Sequence, residues 1–266
     1  MVTASQQKLI DEIGKLLDEE GRVEAVWLAG SLGRGQGDIF SDVDLLVLVE
    51  DGTLTEVSSA LVARLSTVVR AVHVNKLFGG RVLNVVTADW QRFDLSFIQR
   101  EDLARHNGAL LRSLFNRSGQ TPPEEPEMPY RPAPEQLLKL VQEFIRVLGL
   151  AVVVVGREEY AVALSGIEHL RRMTFDLMME ENRVAPGKRG GALHRNSLLN
   201  AEQRAQLESL PPLVAQRASV IEGHRALAEL FLPRARRLAA EIAMVWPSDF
   251  EEATRRYLEA NLQVRL

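Results

Sequence analysis

The chain has 266 residues, of which 46% are hydrophobic and 26% charged, with a formal net charge of −4. That is the make-up of an ordinary globular protein, long enough for one large domain or two modest ones. The negative balance argues against a nucleic-acid partner, whose phosphates favour a basic surface, and permits a cationic substrate. There is no cysteine, which excludes a disulfide framework, a thiol nucleophile and a cysteine zinc site and suits a reducing cytoplasm. MVTASQQKLIDEIGKLL lacks the uncharged apolar core of a signal peptide, and LGLAVVVVG is too short to span a membrane. The expectation is a cytoplasmic protein with no membrane partner.

Taken in order, residues 4–20 carry Leu9, Ile10, Ile13, Leu16 and Leu17 on one helical stripe, and Thr3 with Gln6 can form a capping box. Residues 23–29 read as a strand, followed by a glycine-rich turn. Residues 42–50 read as a second strand and 54–71 as a helix. Three strand-like runs follow, HVNKLF, RVLNVVT and RFDLSFI, separated by Gly79-Gly80 and Asp89-Trp90. Leu110–Phe115 can add a last strand. Residues 118–134 are rich in proline and glutamate, and proline removes amide donors and fixes φ, so this stretch reads as a surface linker. Everything after it reads as helical. The candidates are Glu135–Val155 (with a strand-like VVVV near its end), Glu158–Glu181, a helix capped by Asn200, 213–231 and 235–246 interrupted at Pro233, and 248–262. The fold class expected is α/β, a small mixed-sheet domain over residues 1–117, a linker over 118–134 and an all-helical domain over 135–266.

Chemistry concentrates early in the chain. Gly30-Ser31-Leu32-Gly33-Arg34-Gly35 follows the apolar run VEAVWLAG, and Ser41-Asp42-Val43-Asp44-Leu45 opens the apolar run DLLVLV. On a strand, residues i and i+2 share a face, so Asp42 and Asp44 are expected to project together with Cα atoms ~6.6 Å apart. Converging carboxylates resist burial and suit Mg²⁺, which takes hard oxygen ligands and shares its shell with phosphates. Phe93-Asp94-Leu95 places a third carboxylate mid-strand, where aspartate is depleted. A solvated loop and two unrelated acidic intrusions would account for the same residues only separately; a metal site accounts for them together.

Gly30-Ser31, then Asp42-Val43-Asp44, then Asp94 between apolar residues resembles the DNA-polymerase-β-like nucleotidyltransferase superfamily. The plan of a catalytic domain followed by a helical one resembles its antibiotic-modifying members, the lincosamide and aminoglycoside enzymes. The resemblance is specific over residues 23–97 and architectural over 135–266. It implies a metal-dependent enzyme that moves a nucleoside monophosphate, AMP from ATP, to a hydroxyl of a small molecule. It further implies two Mg²⁺ ions held by Asp42 and Asp44, Asp94 on the ion nearest the acceptor hydroxyl, and the triphosphate held by Gly30, Ser31 and the neighbouring backbone amides. Arg34 reads either as a phosphate contact or as a solvated loop arginine, and Ser41 as a ligand neighbour or a turn residue.

Several antibiotic-modifying relatives take a glutamate from the helical region as general base. Glu158, Glu159 and Glu168 are the candidates here, beside Asp176, although most helical carboxylates are simply solvated. Lys188 and Arg189 sit in the glycine-rich break Gly187–Gly191, which reads as an interhelical loop or as a segment reaching the triphosphate. His169 and His224 read as ordinary, Trp27 and Trp246 as core, and Trp90 as a residue able to line a site. There is no GxxxxGK[ST], GxGxxG or GxSxG, which excludes a P-loop, a dinucleotide fingerprint and a hydrolase elbow. The alternative function is a nucleotidyltransferase of the toxin–antitoxin type that modifies a protein or RNA. The attached helical half favours a self-contained enzyme, and a homodimer is left open. A non-catalytic binding protein is disfavoured by the presence of all three carboxylates.

Overall fold

The computed structural model describes residues 2–126, 128–189 and 192–265. The chain divides into two compact units, Met1–Glu127 and Met128–Leu266.

The first unit opens with α1 (Ala4–Asp18), whose N-terminus carries the Thr3–Gln6 capping box, with Leu9, Ile10, Ile13, Leu16 and Leu17 all buried. Then come β1 (Val23–Leu28), the single turn α2 (Gly30–Gly33), β2 (Val43–Val49) and α3 (Leu54–Leu65). The helix expected over 54–71 stops at Leu65, because the β-branched run Thr67-Val68-Val69 resists helix and leads into a strand. β3 (Ala71–Leu77), β4 (Val82–Thr87), β5 (Arg92–Ile98) and β6 (Arg112–Asn116) complete a six-stranded sheet in the order β3-β4-β5-β2-β1-β6. β2 and β5 are parallel and the other pairs antiparallel, which makes the sheet mixed.

Side chains alternate across this sheet as the period of two requires. Val43, Leu45 and Val47 of β2 and Phe93, Leu95 and Phe97 of β5 form one core with the stripe of α1 and with Val57, Leu61 and Leu65 of α3. On the other face, Ala25, Trp27, Leu46, Leu48, Ile98 and Leu103 make a smaller apolar cluster, so Trp27 is a core residue as expected. The head of that second face is polar.

No regular element crosses the described part of the proline-rich stretch, but it is not a free tether. Gly108 donates to the Pro123 carbonyl at 2.8 Å and the Asn107 side chain to that of Glu125 at 3.0 Å. In the second unit, Tyr130 donates to Glu180 at 2.8 Å.

That unit holds α4 (Pro134–Gly149), α5 (Ala151–Gly156), α6 (Tyr160–Glu181), α7 (Ala201–Glu208), α8 (Arg217–Glu241) and α9 (Ser248–Leu262). The expected helix Glu135–Val155 is two, broken at Leu150, and the strand-like valines of 152–155 are helical. Burial decides against their propensity: Ala151 and Val155 enter the helical core, which also holds stacked Phe144 and Phe231 with ring centroids 3.7 Å apart. The break expected at Pro233 does not occur, because α8 runs through it with Phe231, Leu232, Arg234 and Ala235 buried on either side. Proline costs a helix an amide bond, and packing of the flanking turns offsets that loss. Gly190 and Gly191, the last two residues of the expected glycine-rich break Gly187–Gly191, lie outside the described residues. Among the described residues no helix is long and apolar enough to cross a membrane.

Candidate active site

Strand register brings two of the three expected carboxylates side by side. Asp44 on β2 is directly opposite Asp94 on β5. Asn84 on β4 is opposite Asp94, and Asn75 on β3 is opposite Asn84. Directly paired residues point to one face, with strands ~4.8 Å apart, so a row of polar side chains crosses four strands at the head of the sheet. Asp42 falls just outside the ladder, because β2 begins at Val43. The chain ahead of it is held in a turn: Ser41 N–H donates to the Asp38 carbonyl at 3.2 Å, and the Gln6 amide donates to the carbonyls of Asp38 at 2.9 Å and Ser41 at 2.8 Å.

The electrostatics follow from crowding of like charge under partial cover. Burial, then repulsion from Asp42 and Asp94, pushes the Asp44 carboxyl up to about 7, while Arg34 and Arg92 pull the other way. Burial also raises Asp94; the side-chain hydrogen bond from Asn84 opposes this, Asp42 adds to it and Arg92 reduces it. Asp44 therefore feels both Asp42 and Asp94, and Asp94 feels Asp42.

The glycine turn is shaped around Asp44. Gly30 has φ +58, and a Cβ there would lie 1.8 Å from Asp44 Oδ2. Only glycine takes this backbone conformation without strain and lets a carboxylate rest against the main chain. A Cβ on Gly33 would lie 2.4 Å from the Leu28 carbonyl oxygen, so the turn also packs onto the end of β1. The Ala29 N–H donates to the Asp44 carbonyl at 2.8 Å, fixing turn and strand together. Ser31 is half-buried within the turn, and Arg34, also half-buried, caps it within electrostatic reach of Asp44. The Ser41 hydroxyl accepts from the Asp38 N–H and donates to Asp38 Oδ1, both at 3.0 Å, which is turn chemistry.

Arg92, Asn84 and Gln6 are the residues that sequence reasoning missed. Arg92 stands two positions before Asp94 on one strand, so period-two spacing alone could have found it. Asn84 carries no signal short of the strand register.

Among the described residues no three acidic or histidine side chains converge tightly enough to hold a metal ion unaided. The donor set still fits a divalent cation. Asp44 and Asp94 offer adjacent hard oxygens whose mutual repulsion a cation relieves, and Mg²⁺ fills its remaining positions with water and phosphate oxygens.

A sequence model described as streptomycin adenylyltransferase matches residues 3–261. The chain belongs to that family. It is thus an adenylyltransferase, and the resemblance to antibiotic nucleotidyltransferases read from Gly30-Ser31, Asp42, Asp44 and Asp94 holds. No curated protein matches it in sequence. Among solved structures it is similar to an aminoglycoside 6-adenyltransferase from Bacillus subtilis, at 16% identity over 98% of this chain and 100% of that one, with a TM-score of 0.49. It is also similar to a nucleotidyltransferase-like protein from Exiguobacterium sibiricum 255-15, at 14% identity over 97% of this chain and 88% of that one, with a TM-score of 0.37.

In the helical unit of this adenylyltransferase the expected base candidates are dispersed. Glu158 and Glu159 are exposed ahead of α6. Glu168 is exposed, lies 3.4 Å from Arg171 and borders a cleft of about 700 Å³ with Phe175, Arg204 and Leu207. Asp176 is paired with Arg195 at 3.1 Å, and burial raises its carboxyl against the pull of Arg195, Arg189 and Arg172. Arg189 is tied to Glu180 and to the Val184 carbonyl. His224 is buried on its own helix, with Nδ1 2.7 Å from the Val220 carbonyl, and burial pushes its pKa down. His169 lies 3.7 Å from Glu143. Trp246 donates to Glu251 at 2.6 Å and is half-buried, whereas Trp90 is exposed on the β4–β5 turn.

Proposed function

We propose that the protein transfers AMP from ATP, with Mg²⁺, to a hydroxyl of an aminoglycoside such as streptomycin. The observation that carries this reading is the pairing of Asp44 with Asp94 across β2 and β5, with the Gly30 backbone pressed against the Asp44 carboxylate. Membership of a family described by streptomycin supports the acceptor class, and the net charge of −4 suits a polycation.

The acceptor oxygen bonds to the α-phosphorus as the bond to the pyrophosphate oxygen breaks. Bound divalent cations, two in the proposed site, stabilise the attacking and leaving oxygens of such an in-line displacement. Asp42 and Asp44 would hold both cations, and Asp94 would help to hold the one nearest the acceptor hydroxyl. From that position Asp94 is the carboxylate placed to lower the pKa of the attacking hydroxyl or to accept its proton. The Ser31 hydroxyl and the backbone amides at Gly30, Ser31 and Leu32 would contact phosphate oxygens, since the first amides of a helical turn lack intrahelical partners, whereas the Gly33 N–H is already given to the Ala29 carbonyl at 2.7 Å. Arg34 adds a charge-assisted contact, and Ser41 keeps the entry to β2 in place.

The test is pyrophosphate release from ATP and Mg²⁺ with streptomycin, other aminoglycosides and lincosamides. Turnover with an aminoglycoside that disappears in Asp44→Asn is the expected result. Turnover that survives Asp44→Asn removes the site, and turnover with lincosamides alone removes the acceptor class.

A further inference from the structure

We infer that Phe40 is the platform on which the nucleobase of the bound triphosphate stacks, an inference that rests on the reading of Asp42, Asp44 and Asp94 as the triphosphate site. Phe40 is 77% exposed and its neighbour Ile39 68% exposed. A ring left in water adds nothing to the core, yet the backbone beneath it is firmly held. Asp38 Oδ1 accepts from the Phe40 N–H at 2.9 Å, the Ser41 hydroxyl closes the same turn, and buried Gln6 anchors the carbonyls of Asp38 and Ser41. Arg92 donates to the Phe40 carbonyl at 2.8 Å, and that same guanidinium lies within electrostatic reach of Asp44 and Asp94. The turn is thus tied to the carboxylate row by one side chain.

Position and chemistry select the occupant. Phe40 precedes Asp42 by two residues, so their Cα atoms are at most ~7 Å apart. A nucleotide whose phosphates sit at Asp42 and Asp44 carries its base one ribose away, within reach of that ring. Of the two substrates, the aminoglycoside offers hydroxyl and ammonium groups on saturated rings, and only the nucleobase offers a flat aromatic face. Base–aromatic stacking tolerates any base, so this contact adds affinity without separating ATP from GTP. Trp90 is the other exposed ring at this end of the sheet, but Asp89 of its turn faces Lys8 of α1, on the helix-covered side.

The experiment is calorimetry on the full chain with two probes, MgATP and magnesium tripolyphosphate, which has no base. Phe40→Ala is expected to weaken MgATP by roughly 5- to 150-fold, from the usual worth of one stacked base. Tripolyphosphate affinity should stay within about twofold, Phe40→Trp should restore MgATP binding, and Trp90→Ala should leave both probes unchanged. An unchanged MgATP affinity in Phe40→Ala, an equal loss for both probes, or a loss that follows Trp90 instead overturns the inference. So does a raised acceptor KM with ATP affinity intact, which would assign the ring to an ammonium group. Asp44→Asn in parallel separates this from the underlying reading: if it retains both probes at full affinity, the triphosphate site itself is wrong, whatever Phe40 does.

Discussion

Asp44→Asn should stabilise the metal-free protein, and more so at high pH. The folded-state value of about 7 against the ordinary 3.8 means that keeping Asp44 ionised in the fold costs about 4 kcal/mol at most, at ~1.36 kcal/mol per pH unit. The sign is the reverse of a salt-bridged carboxylate. A raised folded pKa costs nothing below the unfolded value; the cost grows as pH rises from 3.8 and is complete above about 7. At pH 5 it is about 2 kcal/mol and at pH 8 about 4 kcal/mol. Asparagine keeps the shape and removes the charge. Its own desolvation and hydrogen-bonding changes are common to both conditions, so the advantage of the variant should be roughly 2–3 kcal/mol larger at pH 8 than at pH 5. The assay is denaturant unfolding in EDTA, in a background with Trp90→Phe and Trp246→Phe so that Trp27, buried in the sheet unit, is the only tryptophan reporter. An advantage that does not grow between pH 5 and pH 8 would falsify the shielded, repulsive carboxylate row.

Three further outcomes are expected. Gly30→Ala forces a Cβ into the position 1.8 Å from Asp44 Oδ2 at φ +58; it should cost ~1–3 kcal/mol of stability and, by displacing the carboxylate, about 10²-fold in turnover. In an Asp44→Ala background the stability cost should shrink, and a cycle showing equal costs in both backgrounds refutes the close approach. Asp94→Asn should lower turnover by ~10²–10⁴-fold while MgATP affinity changes far less; an affinity that collapses in step with turnover makes Asp94 a nucleotide-site or structural residue. Asn84→Ala removes the hydrogen bond that holds the Asp94 carboxyl down, so in EDTA the Asp94 carboxyl, followed by NMR, should titrate at higher pH than in the parent protein. An unmoved titration refutes the contact between Asn84 and Asp94.

The sequence by itself determined the local grammar of this protein. Leu9, Ile10, Ile13, Leu16 and Leu17 could bury together only as one helical stripe, and Thr3 with Gln6 marked where that helix starts. Aspartates set against DLLVLV and within RFDLSFI announced carboxylates at the edge of a core, because nothing local explains such charges there. Glycine at position 30 was legible as a turn. Its necessity was not, since the reason is an oxygen of Asp44, fourteen positions on, lying where its Cβ would be. The same limit governs the rest. Whether Asp44 faces Asp94, and that Asn84 steadies it, depends on register between strands far apart in the chain, which no spacing encodes. Helix VVVV and uninterrupted Pro233 went against local preference because burial of neighbouring residues outweighs propensities of order 1–3 kcal/mol. Residue types and periodicity thus stated which groups had to be buried or set apart. Tertiary packing alone decided which carboxylates meet, and with them where the chemistry is placed.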